Sequence, residues 1–307
     1  MSFRPWFALS LVLVGACADG GAMQFVPEFD GARALERART QLDFGPRIPG
    51  TDGHAAMAAW LDSTARALAD TVVVQRWQHV TRAGDSVPMV NVIARFNPAA
   101  TTRVLYMAHW DTRPIADSDS SRDTTLPVPG ANDGASGVSI LLGVMDALKT
   151  KPTTIGVDLV FVDGEDFGKF EGDYHDVLIG SRYYAKHPVA SGKPEFAVLF
   201  DMVGAKEARI LREGYSAIAA PAVVDRVWSV AGRMGYGHIF VQESGQMLID
   251  DHKSLIDAGF RAIDVIGWPW MSHWHTPDDT IDKLSVETLE AVGNVAVAVL
   301  REVDGEQ

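Results

Sequence analysis

Apolar positions along the chain follow two distinct rhythms. Over Gly31–Leu42 and Gly53–Ala69 they recur every three to four residues, which predicts helices. Thr71–Trp77 and Met89–Phe96 are rich in β-branched and apolar residues and predict strands. Val104–Ala108, Val157–Val162 and Phe196–Phe200 are short apolar runs without alternation, as expected of strands covered on both faces. Further helices are expected over Gly134–Leu148, around Tyr183–Ala185, over Pro221–Gly235 and over Ser285–Glu302. Pro221 suits a helix start, where a missing N–H costs nothing. Ala262–Ile266 reads as a last strand. The alternation predicts an α/β fold, a three-layer sandwich whose central mixed, mostly parallel β-sheet is flanked by helices. With no internal repeat and no low-complexity linker, residues 29–307 read as one domain.

The first residues follow a different pattern. Arg4 precedes an apolar stretch, Trp6–Ala16, too short to span a bilayer but suited to an export signal over residues 1–16. Leu13-Val14-Gly15-Ala16-Cys17 resembles a bacterial lipoprotein box, and Cys17 is the chain's single cysteine. That resemblance implies a periplasmic protein lipid-anchored at Cys17, with residues 17–28 as a tether loosened by Gly20-Gly21. An ordinary cleaved signal containing a cysteine is the alternative.

Composition narrows the classes. With 307 residues, 47% of them hydrophobic and 22% charged, the chain is neither disordered nor fibrous. A net charge of −13 and a pI near 5.1 argue against nucleic-acid binding. One cysteine excludes a disulfide framework and a cysteine-built zinc cage. The absence of any run of about 20 apolar residues argues against a polytopic membrane protein.

The chemistry gathers at strand ends, where sites in such sheets lie. Val104–Ala108 runs into His109-Trp110-Asp111, and Val157–Val162 into Asp163-Gly164-Glu165-Asp166. Phe196–Phe200 runs into Asp201, while Ala262–Ile266 leads on to His273-Trp274-His275. Asp133 and Asp250 stand just before helices, where either alone would read as an N-cap. Together these acids repel, and the flanking segments offer few Lys or Arg to compensate. A divalent metal would compensate, and mixed imidazole and carboxylate donors suit zinc in an open site.

The order HWD, GANDGASG, DGED, FDMVG, WHTPDD resembles the M28 metallopeptidase family from about Phe29 to the C-terminus, with Gly45–Gly50 (GPRIPG) resembling its opening motif. Within it, the chain is most similar to the glutaminyl-peptide cyclotransferases of the bacterial, animal-like branch. The marks are Trp274 directly before His275, the triplet Asp250-Asp251-His252, the pair Glu165-Asp166, and the segments Leu178–Ala185 and Met202–Trp228. The resemblance implies that Asp133, Asp166 and His275 hold zinc, one ion expected and two possible, with His109 and Asp201 as the second site. It implies Glu165 as general acid/base, Asp201 and Asp250 as acids that bind the amine and relay protons, Trp274 as a pocket wall, and a cis Asp133–Gly134 bond. Asp111 is expected to orient His109 from behind. Trp268 and Trp270 either line the mouth or pack. The implied reaction turns an N-terminal Gln of a peptide or protein into pyroglutamate with loss of ammonia, in a monomer. A two-metal aminopeptidase and an inactive binding module with this fold remain alternatives. Departures from the family pattern are the lack of Trp in Phe167–Val177, Asp264 where animal cyclases carry His, and Lys253-Ser254-Leu255 after the acidic triplet.

Overall fold

The computed structural model describes residues 26–118, 123–269 and 271–305. The expected export signal, Cys17, the start of the tether and Trp270 lie outside them. Helices α1 (Gly31–Asp43) and α2 (Asp52–Leu68) come first. Each is capped by a side chain, Asp30 accepting from Arg33 N–H and Thr51 from His54 N–H. A hairpin follows, β1 (Thr71–Val80) and β2 (Ser86–Phe96), longer than expected because it projects beyond the sheet as a half-exposed ribbon. Then come β3 (Arg103–His109), α3 (Ala135–Thr150), β4 (Gly156–Val162), α4 (Ile179–Lys186) and β5 (Phe196–Asp201). A short parallel pair, β6 (Ile210–Arg212) and β7 (Phe240–Ser244), brackets α5 (Gly214–Ala219) and α6 (Pro221–Arg233). Last are α7 (Asp251–Asp257), β8 (Ala262–Ile266) and α8 (Val286–Gly305).

The main sheet has the order β1-β2-β4-β3-β5-β8. β4, β3, β5 and β8 run parallel, while β2 is antiparallel to β4 and to β1. The mixed, mostly parallel sheet expected from sequence is thus present. Both faces are covered. Val104, Tyr106 and Ala108 of β3 join a core with α2, α3, α6 and α8, while Leu105 and Met107 meet Tyr184 and Leu255 of α4 and α7. Such two-sided burial accounts for the unbroken apolar runs. Asn294 of α8 accepts from the N–H groups of Glu28 and Phe29, and Arg301 pairs with Glu28, fastening the start of the domain to its end. No helix among the described residues is long and apolar enough to cross a membrane.

One approach fixes the geometry of the site. A side chain at Gly137 would place its Cβ 2.1 Å from the Phe200 carbonyl oxygen, so α3 lies directly on β5. Gly134, with φ 95°, makes the turn that starts this helix.

Candidate active site

The parallel register brings the polar strand ends together. Met107 pairs with Leu199, so His109 and Asp201, two residues further along each strand, stand side by side. His109 Nε2 lies 3.1 Å from Asp201 Oδ1 and 3.1 Å from Asp133 Oδ1. On the other side of Asp133, His275 Nε2 is 3.5 Å from Asp133 Oδ2 and 3.5 Å from Asp166 Oδ1. Two buried trios therefore share Asp133: His109, Asp133, Asp201 and Asp133, Asp166, His275, the donor atoms of each within 4.8 Å of one another. Both expected metal groups are assembled.

The donors of the second trio fit zinc. Two carboxylates and an imidazole leave a coordination position open. Asp166 Oδ2 is buried with no hydrogen-bond partner, an orphan that a cation would satisfy. The His275 ring is held in place by Asp117. Its Nδ1 lies 3.0 Å from Asp117 Oδ1; an ionised carboxylate only accepts, so Nδ1 donates and Nε2 faces the acids.

The acids are set by their surroundings. Burial first, then the adjacent Asp166 charge, raise Glu165 well above the ordinary carboxylate range. Burial and Asp201 raise Asp250 to about 7. Burial, against the pull of His109, raises Asp201 to about 6. Against the cost of burial, His275 and Arg113 hold Asp117 well below its usual value. Glu165, Asp201, Asp250 and Trp274 line one cavity of about 600 Å³ together with Asp133, Asp166 and His275. The Trp274 indole stacks on the His275 ring, centroids 3.7 Å apart. Behind Asp250 the acids continue inward: His252 Nε2 lies 3.2 Å from Glu213 and Nδ1 3.6 Å from Asp264, all buried.

Backbone strain marks the same place. His275, Met202 and Leu178 all have positive φ, at 51°, 49° and 52°. Leu178 N–H donates to the Glu165 carbonyl and Met202 follows Asp201, so each of the three sits at a pocket acid or ligand.

One expected neighbour has a second role, and an expected cis bond is corrected. Asp111 stands beside His109 Nδ1, where, against the cost of burial, its carboxylate favours the charged imidazole. Its oxygens accept from the N–H groups of Glu165 (3.0 Å) and Asp166 (3.1 Å), and His109 Nδ1 stands 3.6 Å away. Asp111 thus anchors the acidic loop. The Asp133–Gly134 bond is trans; the glycine's left-handed φ makes the turn, and Trp268–Pro269 is the cis bond among the described residues. Of the two roles left open for Trp268, lining the mouth is not the one observed: it lines a separate hollow with Lys206 and His273.

The expected shortage of cations is also corrected. Arg113 reaches Asp166 Oδ1 at 2.6 Å and grips Asp117 with two bonds of 2.6 Å. Arg113 and the buried Arg47, which feels the charges of Asp279, Asp111 and Asp133, still leave most of the acids uncompensated. Sequence reasoning also passed over Asp279, which accepts from Asn132 N–H and Asp133 N–H. Burial and the Asp133 charge raise Asp279 to about 7. Arg47 is buried and donates to the carbonyls of Trp110, Pro129 and Gly130, tying two site loops together. Both lie in stretches whose motifs, GPRIPG and WHTPDD, are visible in the chain.

The fold and sequence are similar to those of known proteins. Glutaminyl cyclase of Porphyromonas gingivalis superposes with a TM-score of 0.87 at 38% identity, covering 91% of this chain and 100% of that one. A Zn-dependent exopeptidase from Parabacteroides distasonis gives 0.86 at 34% identity, covering 90% and 99%. The glutaminyl-peptide cyclotransferase-like protein of Bos taurus is 26% identical over 320 residues, 94% of this chain and 80% of that protein. A family description, peptidase family M28, matches residues 91–300, which run from β2 through the acidic loops and His275 to α8. The chain therefore belongs to peptidase family M28.

Proposed function

We propose that this protein is a zinc-dependent glutaminyl-peptide cyclotransferase. The observation that carries the reading is the convergence of three buried acids, Glu165, Asp201 and Asp250, on one cavity beside a donor trio and under the Trp274 indole. The named activity of the Porphyromonas gingivalis relative supports it.

Asp133, Asp166 and His275 would hold the ion. Zinc bound there supplies Lewis-acid polarisation of the substrate's side-chain carbonyl. The rest falls to the chain. Asp201 and Asp250 hold the α-amine near the side-chain amide, which folds the substrate toward ring closure. The amine nitrogen attacks the amide carbon, a new C–N bond forms, and the old bond to the amide nitrogen breaks. Glu165 takes the proton released from the amine and gives it to the departing nitrogen, which leaves as ammonia. A carboxyl whose grip on a proton is strengthened by burial and the Asp166 charge suits the return of that proton to the leaving nitrogen. The indole excludes water and gives the flat amide chain a surface to lie on.

A second reading has one observation in its favour: the trio His109, Asp133, Asp201 is also assembled, as a two-metal aminopeptidase requires. Mass spectrometry of a Gln-initiated peptide incubated with zinc-loaded protein separates the two. Loss of ammonia faster than the spontaneous reaction supports the cyclase; loss of the whole first residue replaces it with the aminopeptidase. The N-terminal pattern supports an exported, lipid-anchored protein.

A further inference from the structure

We propose a further metal-binding site, distinct from both active-site trios, for a divalent transition ion such as zinc, formed by His79, His175 and Asp176. It lies outside the active-site cavity. His79 stands near the end of β1, and the other two on the segment that leads into α4. His79 Nε2 is 2.8 Å from Asp176 Oδ1, and His175 Nε2 is 3.8 Å from the same oxygen. The donor atoms of all three lie within 4.8 Å of one another. Donors on a tetrahedral zinc stand about 3.3 Å apart, so small side-chain rotations complete the set. His175 would exchange its bond to the Val80 carbonyl for the ion.

The surroundings suit a cation. Two imidazoles and one carboxylate form a donor set with a strong preference for zinc-like ions over calcium or magnesium. Asp176 is held in place by the N–H of Arg82, at 3.1 and 3.3 Å. The nearby guanidinium groups are engaged elsewhere: Arg82 pairs with Asp173, and Arg182 donates to the carbonyls of His175 and Val177. The His175 side chain is 44% exposed, against 13% for His79, so the open coordination position faces solvent. A surface hollow of about 350 Å³ adjoins the trio.

The location gives the ion a structural consequence. Lys169, Phe170, Glu171 and Tyr174 line the active-site cavity, and they lie just before His175 in the chain. An ion at the trio ties the end of that segment to β1.

The test is bound metal per chain, measured by native mass spectrometry at micromolar free Zn2+ for the wild type, His79→Gln and His175→Gln. Glutamine keeps a polar group at each position, and thermal unfolding confirms that the variants fold. We expect each variant to carry about one ion fewer than the wild type. Equal metal content in all three proteins overturns the site. Because the comparison is between proteins with the same catalytic donors, the result stands whatever reaction the active site performs.

Discussion

The Asp117 carboxylate lies 3.0 Å from Nδ1 of His275, while Arg113 clasps both Asp117 and Asp166. One arginine thus sets the positions of two donors at once, one directly and one through an acid. Asp117→Asn removes the ionised acceptor that fixes the imidazole. It should weaken zinc retention about 10- to 100-fold, read by competition with a chromophoric chelator. Unchanged affinity would mean that Asp117 serves only Arg113.

Glu165 shares its loop with Asp166 and, in the proposed mechanism, carries the proton while Asp166 would hold the metal. Glu165→Gln should reduce turnover by about 100-fold or more with zinc content intact. Loss of zinc together with activity would move Glu165 among the ligands.

Trp274 stacks on His275 and walls the cavity. Trp274→Ala should raise KM roughly tenfold, about 1.4 kcal/mol of substrate contact, with little change in bound zinc. Identical kinetics would leave the indole a packing role alone.

The interior acids give stability a pH dependence. Burial and the neighbouring Asp250 charge raise Asp251 from 3.8 to about 8. The unfolded chain loses this proton near pH 4, while the folded chain keeps it to about 8. The contribution is therefore full below about pH 4 and is lost as pH rises through 8. Asp251→Asn keeps a neutral side chain and should unfold at higher denaturant than the wild type at pH 8, with the gap closing toward pH 4. A gap that widened on acidification would refute this.

The N-terminal pattern carries its own expectation. Expressed from the full-length gene in a bacterium, the protein should partition with membranes, and Cys17→Ser should release it to the soluble fraction. Equal partitioning of the two would argue for an ordinary cleaved signal.

Part of this site was legible because four of its candidate residues stand at or just after the ends of buried strands. His109, Glu165, Asp166 and Asp201 stand at the ends of apolar runs that can only be central strands. What could not be read is what crosses between elements. Arg113 and Asp166 are 53 positions apart, and Arg47 reaches carbonyls up to 83 positions away. Such pairings depend on register and loop path, which hydrophobic periodicity does not encode. Asp111 shows the limit from the other side. Its spacing from His109 made that neighbour legible, but its bonds to the Glu165 and Asp166 N–H groups of a neighbouring strand's loop were not. The β6–β7 pair went unseen because three residues of β6 are too few to show a period.

The contact between Gly137 and the Phe200 carbonyl has a mechanical meaning. Asp133 precedes the helix and Asp201 ends the strand, so the two carboxylates are the tips of parts seated against each other without play. A single methyl at Gly137 would act as a shim, prising the helix off the sheet and widening the gap between those tips. The calibration of the site therefore resides in a residue that touches neither metal nor substrate.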